Sequence, residues 1–356
     1  AYFTVIANPS LKWETQISTD IALEFGLFDC LTGTIEYFKK DSKDLLFDVS
    51  QPASVGVTSI IQNIGKVTNS GVEIELDYNA FKNKDWSVSV GANATFVKNK
   101  IKNLPATMKE NGYISGSKKW LEGKSIYEFW LRQWHGVDPQ TGDGLYVADV
   151  SKYNQGNIGT GDGNITQSQF DEYKKTVVTI DGKELTNSYT YAKYDFSGSS
   201  IPDVFGGFNV RVSYKNFDLA AVFSYQLGGQ VLDTNYATMM SMTEFGYAQS
   251  PDLLKAWKQA GDITEVPRID NSAAHTTNIG QSYSTRWLTS SDYLNLRSVT
   301  IGYQFPKAWL SKVMLKSARL NLTAENLFML KARQGLNPMA NYSGVTYNEY
   351  MPSRNI

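Results

Sequence analysis

Between positions 126 and 137 the chain reads IYEFWLRQWHGV. Glu128, Trp130, Arg132 and Trp134 share one parity, and Tyr127, Phe129 and Leu131 share the other. Alternate residues of a strand project to opposite faces, so one face would hold two indoles beside a carboxylate and a guanidinium. An indole offers a large flat contact area with a polar N–H at one edge. Such a set can stack on and hydrogen-bond a sugar ring or a peptide, and it can equally pack against a wall of the protein itself. The other face is apolar enough to meet lipid or that wall.

A second charged set lies in GVEIELDYNA, residues 71–80. Glu73, Glu75 and Asp77 alternate with Val72, Ile74, Leu76 and Tyr78. Three carboxylates in a column on one strand face repel each other unless water or partners solvate them. The pattern therefore asks for a sheet with one apolar face and one wet face, and places these three on the wet one.

Other chemistries find no support. There is no His-Glu-x-x-His, no Gly-x-Ser-x-Gly and no phosphate-binding loop. The two histidines, His135 and His275, lie far apart in sequence. GTGDGNITQSQF, residues 159–170, faintly resembles a calcium loop. With Gly163 as its sixth position, Ile158 and Gln169 fall where oxygen ligands and a bidentate glutamate belong. It reads better as a glycine-rich loop. The single cysteine, Cys30, permits no internal disulfide. With 34 basic and 35 acidic side chains the formal net charge is −1, which speaks against nucleic acid as a partner. The expectation is no enzyme, no metal and no cofactor.

The elements that must position these residues alternate with period two. In DWSVSVGANATFV, Trp86, Val88, Val90, Ala92, Ala94 and Phe96 oppose Ser87, Ser89, Gly91, Asn93 and Thr95. DIALEFGL, GFNVRVSY, FDLAAVFSYQL and ARLNLTAENL repeat the pattern. The strands pair as hairpins: 15–27 with 31–40, 71–80 with 86–97, 207–215 with 217–228, and 292–305 with 317–328. Long polar connections follow them, at about 41–70, 98–205, 229–291 and 329–356. Short turns alternating with long loops are the layout of a transmembrane β-barrel, with apolar residues toward lipid and polar ones toward the lumen. From Trp86 to Phe96, ten residue steps span ~33 Å of strand, or about 25 Å along the normal at ~40° tilt, the height of the apolar band. A soluble β-sandwich also alternates, but it explains the regular long loops less well. No run of 18 apolar residues offers a transmembrane helix, and no signal peptide is apparent.

Several motifs, in order, resemble the SusC/RagA family of TonB-dependent outer-membrane transporters. They include ANPSLKWETQISTDIALEFGLFD, TGTIEYFKKDSKDLL, NIGKVTNSGVEIEL, WLEGKSIYEFWLRQWHGVDPQTGDGLYV, SIPDVFGGFNVRVSYKNFDLAAVFSYQLGGQV, STRWLTSSDYLNLRSVTIGYQFPKAWL, SARLNLTAENLF and GLNPMA. The resemblance implies an all-β transmembrane antiparallel barrel of about 22 strands. Residues 1–356 read as the C-terminal third of it, without plug domain or last strand, with about nine or ten strands including one or two within 98–205. It also implies import of an oligomeric nutrient, a glycan or a peptide, across a Bacteroidetes-type Gram-negative outer membrane. The implied partners are a SusD-like surface lipoprotein lid, the TonB–ExbB–ExbD complex through the absent N-terminal region, and membrane lipid. On that reading Trp130, Trp134, Glu128 and Arg132 are substrate-binding candidates, and Glu73, Glu75 and Asp77 face the lumen. A soluble carbohydrate-binding sandwich and a passive porin are the competing functions.

Overall fold

The alternating segments fold as strands of one sheet. A computed structural model describes residues 8–50, 59–161, 163–242, 246, 248–272, 275, 279–280, 283–339, 342–347 and 351–356. The wall strands are β1 (Thr15–Leu27), β2 (Leu31–Ser50), β3 (Ser59–Lys82), β4 (Trp86–Asn103), β5 (Val204–Tyr214), β6 (Phe217–Leu227), β7 (Tyr293–Gln304) and β8 (Arg319–Lys331). They lie side by side in chain order, each antiparallel to the next. The ladder between β4 and β5 runs from Trp86↔Tyr214 to Thr95↔Phe205 without a shift, although 100 residues separate the two strands in sequence.

Register carries the parity of each strand across the sheet. One row reads Leu23–Ile35–Ile74–Ala94–Gly206–Tyr225–Leu294–Leu330. The adjacent row reads Glu24–Thr34–Glu75–Asn93–Gly207–Ser224–Asn295–Met329. The first row lies on an apolar face that the described residues leave largely bare: Ile21 is 65% exposed, Leu23 63% and Leu320 63%. A soluble sandwich would bury such a face against a second sheet. This one meets the need of a lipid-facing wall.

Three of the four wall turns, 28–30, 83–85 and 215–216, are two or three residues long, where the parity pattern placed them. Asn83 Oδ1 accepts hydrogen bonds from the backbone N–H groups of Asp85 (2.9 Å) and Trp86 (2.8 Å), a side chain standing in for a backbone turn. Lys215, with φ of 52°, turns the chain between β5 and β6.

Two expectations need correction. The stretch 41–70 is largely strand, because β2 runs to Ser50 and β3 starts at Ser59, with pairing continued through bulges at Lys43–Leu46. Above the apolar band both faces of a strand meet polar surroundings, so the period-two signature fades while the backbone ladder continues; residues 51–58 lie outside the described set. The wall also has eight strands among the described residues, not nine or ten. The strands within 98–205 after β4 are three to six residues long, too short to span the apolar band, and they form small sheets of their own.

Those small sheets belong to a body built from the long excursions. Its core joins Phe129, Leu131, Leu232, Met240, Trp287 and Val345, drawn from three separate excursions. A second cluster packs Tyr153, Ile165, Phe170, Tyr173 and Tyr191. Phe170 and Tyr173 lie on the helix Gln167–Thr176. The helix starts where the glycine-rich stretch ends. Thr166 Oγ1 accepts from the Gln169 N–H (3.2 Å) while Gln169 Oε1 accepts from the Thr166 N–H (2.8 Å), a reciprocal capping box. The body attaches to the polar side of the wall through Asn99, whose Oδ1 accepts from Ser125 Oγ and the Ile126 N–H, both at 2.9 Å.

Two outcomes test this architecture. Val90 faces its partners Tyr78 and Val210 on the apolar face, and Thr95 stands between Glu73 and Phe205 on the polar one. In the complete barrel reconstituted in lipid vesicles, Val90→Arg should lower stability to urea by ~2–4 kcal/mol and Thr95→Arg by much less; equal losses would refute the face assignment. Residues 1–356 expressed alone should give no heat-modifiable, protease-resistant barrel in detergent, since β1 and β8 are not paired with each other.

Candidate functional site

Glu128–Arg132 forms a strand in which Phe129 and Leu131 are fully buried. Phe129 and Leu131 thus fill the core of the excursion body, while Tyr127 of the same parity lines a cavity against wall residues Asn69, Val97 and Phe205. That burial turns the other parity outward. Trp130 lies parallel to Tyr194 (6.1 Å between centroids, 11° between planes) and edge-on to Phe196 (4.9 Å). Lys119 Nζ sits 4.0 Å above the Trp130 ring. The Arg132 guanidinium covers Tyr189 at 4.8 Å and Tyr194 at 4.6 Å, and its Nε donates to the Tyr189 carbonyl at 3.0 Å. Glu128 pairs across to Ser199 at the start of the same strand.

Trp134 does not continue this face. The strand ends at Arg132, and Trp134 opens the next strand, Trp134–Val137, in a different sheet. Gln133 makes the transfer: its N–H donates to the Lys193 carbonyl (3.0 Å), its carbonyl accepts from Val147 (2.9 Å), and its amide donates to Ser197 Oγ (2.9 Å). Trp134 stands edge-on to Tyr146 at 5.1 Å and beneath the Arg286 guanidinium at 4.7 Å. Arg286 also covers Trp287 at 4.3 Å and donates to the Ile279 carbonyl at 3.1 Å. Residues 283–287 reach this place because Ser284 bridges Arg132 in parallel and Thr285 Oγ1 accepts from the Trp134 N–H at 2.8 Å. The structure therefore brings Trp130 and Arg132 into one aromatic–cation shelf and Trp134 into a neighbouring one.

Burial sets the electrostatics of the shelves. It pushes the Arg286 guanidinium down to about 10 and the Tyr146 phenol up to about 12, the nearby Arg286 and Arg132 charges opposing the latter. Lys118, next to Lys119, is buried with Nζ donating to the Tyr127 carbonyl at 2.9 Å. Desolvation pushes its ammonium down to about 7, and the Glu128 charge pulls the other way. Aromatic faces supply the shelves' main counter-charge, through their negative quadrupole.

Tyr189, Tyr194, Lys119 and Arg286 complete the shelves, and parity reasoning on 126–137 did not find them. Their local signals, KKW and STRW, state a cation beside an aromatic ring but not which other ring it will cover.

Glu73, Glu75 and Asp77 lie on the polar face of β3, exposed. Glu36 stands directly opposite Glu73, and Glu24 and Asp20 continue the acidic patch onto β1. Asn69, on the same face, receives the Asn99 amide at 2.7 Å, the residue that holds the excursion body. Where this face meets the body, a 360 Å³ cavity is lined by Tyr127, Phe205, Gln226, Gln230, Ser291 and Tyr342, among others. Gln230 Oε1 is buried there and accepts no hydrogen bond among the described residues.

A wall of ordered hairpins carrying a folded body on its polar side has clear counterparts. Residues 1–162 match the family model "TonB dependent receptor-like, beta-barrel". TonB-dependent receptor P3 of Formosa agariphila is 29% identical over 347 residues, covering 95% of this chain and 32% of that protein. TonB-dependent receptor SusC of Bacteroides thetaiotaomicron is 24% identical over 358 residues, covering 96% and 31%. The RagAB peptide importer in its closed-closed state superposes with a TM-score of 0.76 at 25% identity, covering 99% of this chain and 35% of that one. The chain resembles the TonB-dependent receptor β-barrels of the SusC/RagA type in sequence and in fold. It spans about a third of the length of the curated relatives it matches. TonB-dependent receptors are outer-membrane proteins, and a wall with one bare apolar face has the surface that a lipid-facing barrel needs.

Lys118 offers a pH test of the shelf. Its folded pKa is depressed from the ordinary 10.5 to about 7, so the cost of burying the charge is whole below about 7 and is lost as pH rises toward 10.5. In the complete barrel, hydrogen-exchange protection of residues 118–131, corrected for intrinsic rates, should rise across that window. Lys118→Met should flatten the rise and increase protection at neutral pH.

Proposed function

We propose that this chain is part of an energised importer of oligomeric nutrients, a glycan or a peptide. Its excursion body contacts the cargo at the outer mouth. The observation that carries this reading is the placement of Trp130, Arg132, Trp134 and Arg286 as two adjacent aromatic–cation shelves, in a folded body on the polar side of the wall. Flat rings flanked by fixed donors suit a chain of repeated rings or amide planes, since each unit can stack and hydrogen-bond. Glu128 borders the first shelf. Glu73, Glu75 and Asp77 face the aqueous lumen, where hydration relieves their repulsion. A SusD-like lipoprotein closes the mouth over the cargo. TonB–ExbB–ExbD acts through a part of the receptor outside this chain.

Cargo binding by the full-length receptor with its lid partner tests the shelves. Trp130→Ala and Trp134→Ala, each shown to keep normal heat-modifiability, should weaken binding by ~2 kcal/mol, about 30-fold. Unchanged affinity in both would remove the rings from the cargo site and leave them as packing of the excursion body. Uptake that continues when the proton gradient is collapsed would replace the importer with a passive pore.

A further inference from the structure

Four turns join the wall strands at the end opposite the excursion body: residues 28–30, 83–85, 215–216 and 305–318. The last is much the longest, and it is folded. Lys307–Leu310 forms a helical turn, Ser311–Val313 a 3-10 turn, and Met314 adopts a left-handed conformation with φ of 55°. The segment is tied to itself and to β7. Phe305 N–H donates to the Ala318 carbonyl at 3.0 Å, Leu315 N–H donates to the Leu310 carbonyl at 3.1 Å, the side-chain amide of Gln304 at the end of β7 donates to the Ala318 carbonyl at 2.9 Å, and Leu310 is only 6% exposed.

What this fastened segment shows to its surroundings is unusual for water. Trp309 is 59% exposed, Leu315 54% and Met314 94%. The same stretch holds Lys307, Lys312 and Lys316 and no acidic residue. None of the three lysines is in an ion pair among the described residues. The neighbouring turns add Lys84 and Lys215, so the four turns together carry five lysines against Asp29 and Asp85.

The aromatic residues of the apolar face fix its depth. Trp86 packs on Tyr214 at 4.3 Å, Phe217 on Tyr303 at 4.5 Å, and Tyr303 meets Phe305 at 5.1 Å. Such a belt marks the boundary between hydrocarbon and headgroups. The segment begins where the belt stops, so its exposed apolar side chains and lysines stand at headgroup height, continuous with the lipid-facing wall. Amphipathic segments with Trp and Lys bind there by burying apolar side chains and pairing cations with anionic headgroups.

We propose that residues 305–318 form an interfacial anchor that binds anionic phospholipid of the leaflet at the short-turn end. Trp309, Met314 and Leu315 enter the acyl boundary, and Lys307, Lys312 and Lys316 hold the headgroup phosphates. This inference rests on the barrel reading of the wall and is independent of the cargo.

The test uses the full-length receptor in nanodiscs, with Met314→Cys labelled by an environment-sensitive nitrobenzoxadiazole dye and other cysteines, Cys30 included, replaced by serine. The discs contain phosphatidylethanolamine and phosphatidylglycerol, with brominated acyl chains on one lipid or the other. The expected result is blue-shifted emission, quenched several-fold more by brominated phosphatidylglycerol than by brominated phosphatidylethanolamine. Each lysine near an anionic surface contributes about five-fold to such binding, so the preference should vanish in Lys307→Gln/Lys312→Gln/Lys316→Gln and shrink in Lys312→Gln alone, which covers failure of the triple variant to fold. Water-like emission with no quenching would overturn the anchor. Blue-shifted emission that neither lipid quenches would show that protein covers the segment, and equal quenching by both lipids would remove the anionic recognition.

Discussion

A peptide group inside a bilayer has no water to bond to. Every N–H and C=O of a spanning segment must therefore find its partner in a neighbouring strand. The wall obeys this most visibly where it is hardest to do. β4 and β5 keep an unbroken ladder from Trp86↔Tyr214 to Thr95↔Phe205 although the chain makes a long excursion between them. At the outer edge of β8, Glu325 and Asn355 exchange backbone hydrogen bonds of 2.8 and 3.3 Å, so pairing extends to that edge as well. Once the ladder is obligatory, parity on one strand is imposed on its neighbours. An apolar row and a polar row then run the width of the sheet.

The chain solves two different packing problems. In the wall, apolar side chains such as Ile21, Leu23 and Leu322 have no protein core to enter, and lipid takes that place. In the excursion body they do have one: Phe129, Leu131 and Leu232 are fully buried and Trp287 is 4% exposed. The same residue types serve both because hydrocarbon chains and a protein interior are alike in excluding water. The polar side differs in kind. Glu36 opposite Glu73 would be costly in a closed sheet interface and costs little on a hydrated surface, where charges are screened.

Cations organise the excursion body. Arg286 holds Trp134 and Trp287, Arg132 holds Tyr189 and Tyr194, and Arg333 joins buried Asp233 while lying 3.6 Å over Tyr236. Asp233 also caps the helix Thr234–Met239 through the Tyr236 N–H and accepts from Thr346 Oγ1 at 3.1 Å. Segments distant in sequence are thereby locked by planar cations on rings, which tolerate partial desolvation better than ammonium groups. Lys118, a buried ammonium, shows the contrast: desolvation brings it down to about 7 from 10.5, a larger drop than the fall of Arg286 from 12.5 to about 10.

The sequence by itself determined the strand parity, the four hairpins, the apolar and polar faces of the wall, and the barrel class. Each is a local consequence of one backbone separating two solvents, so it is written residue by residue. Tertiary structure alone decided the rest. The extension of β2 and β3 beyond the apolar band is silent in parity, because both faces there meet polar surroundings. The folding of 104–203 into small sheets with their own core, the break at Gln133 that separates Trp134 from Trp130, and the arrival of Arg286 over Trp134 all depend on contacts between distant segments. Such contacts are selected by shape and by the need to satisfy buried polar groups. Nothing within a few residues of Trp134 encodes which guanidinium will cover it.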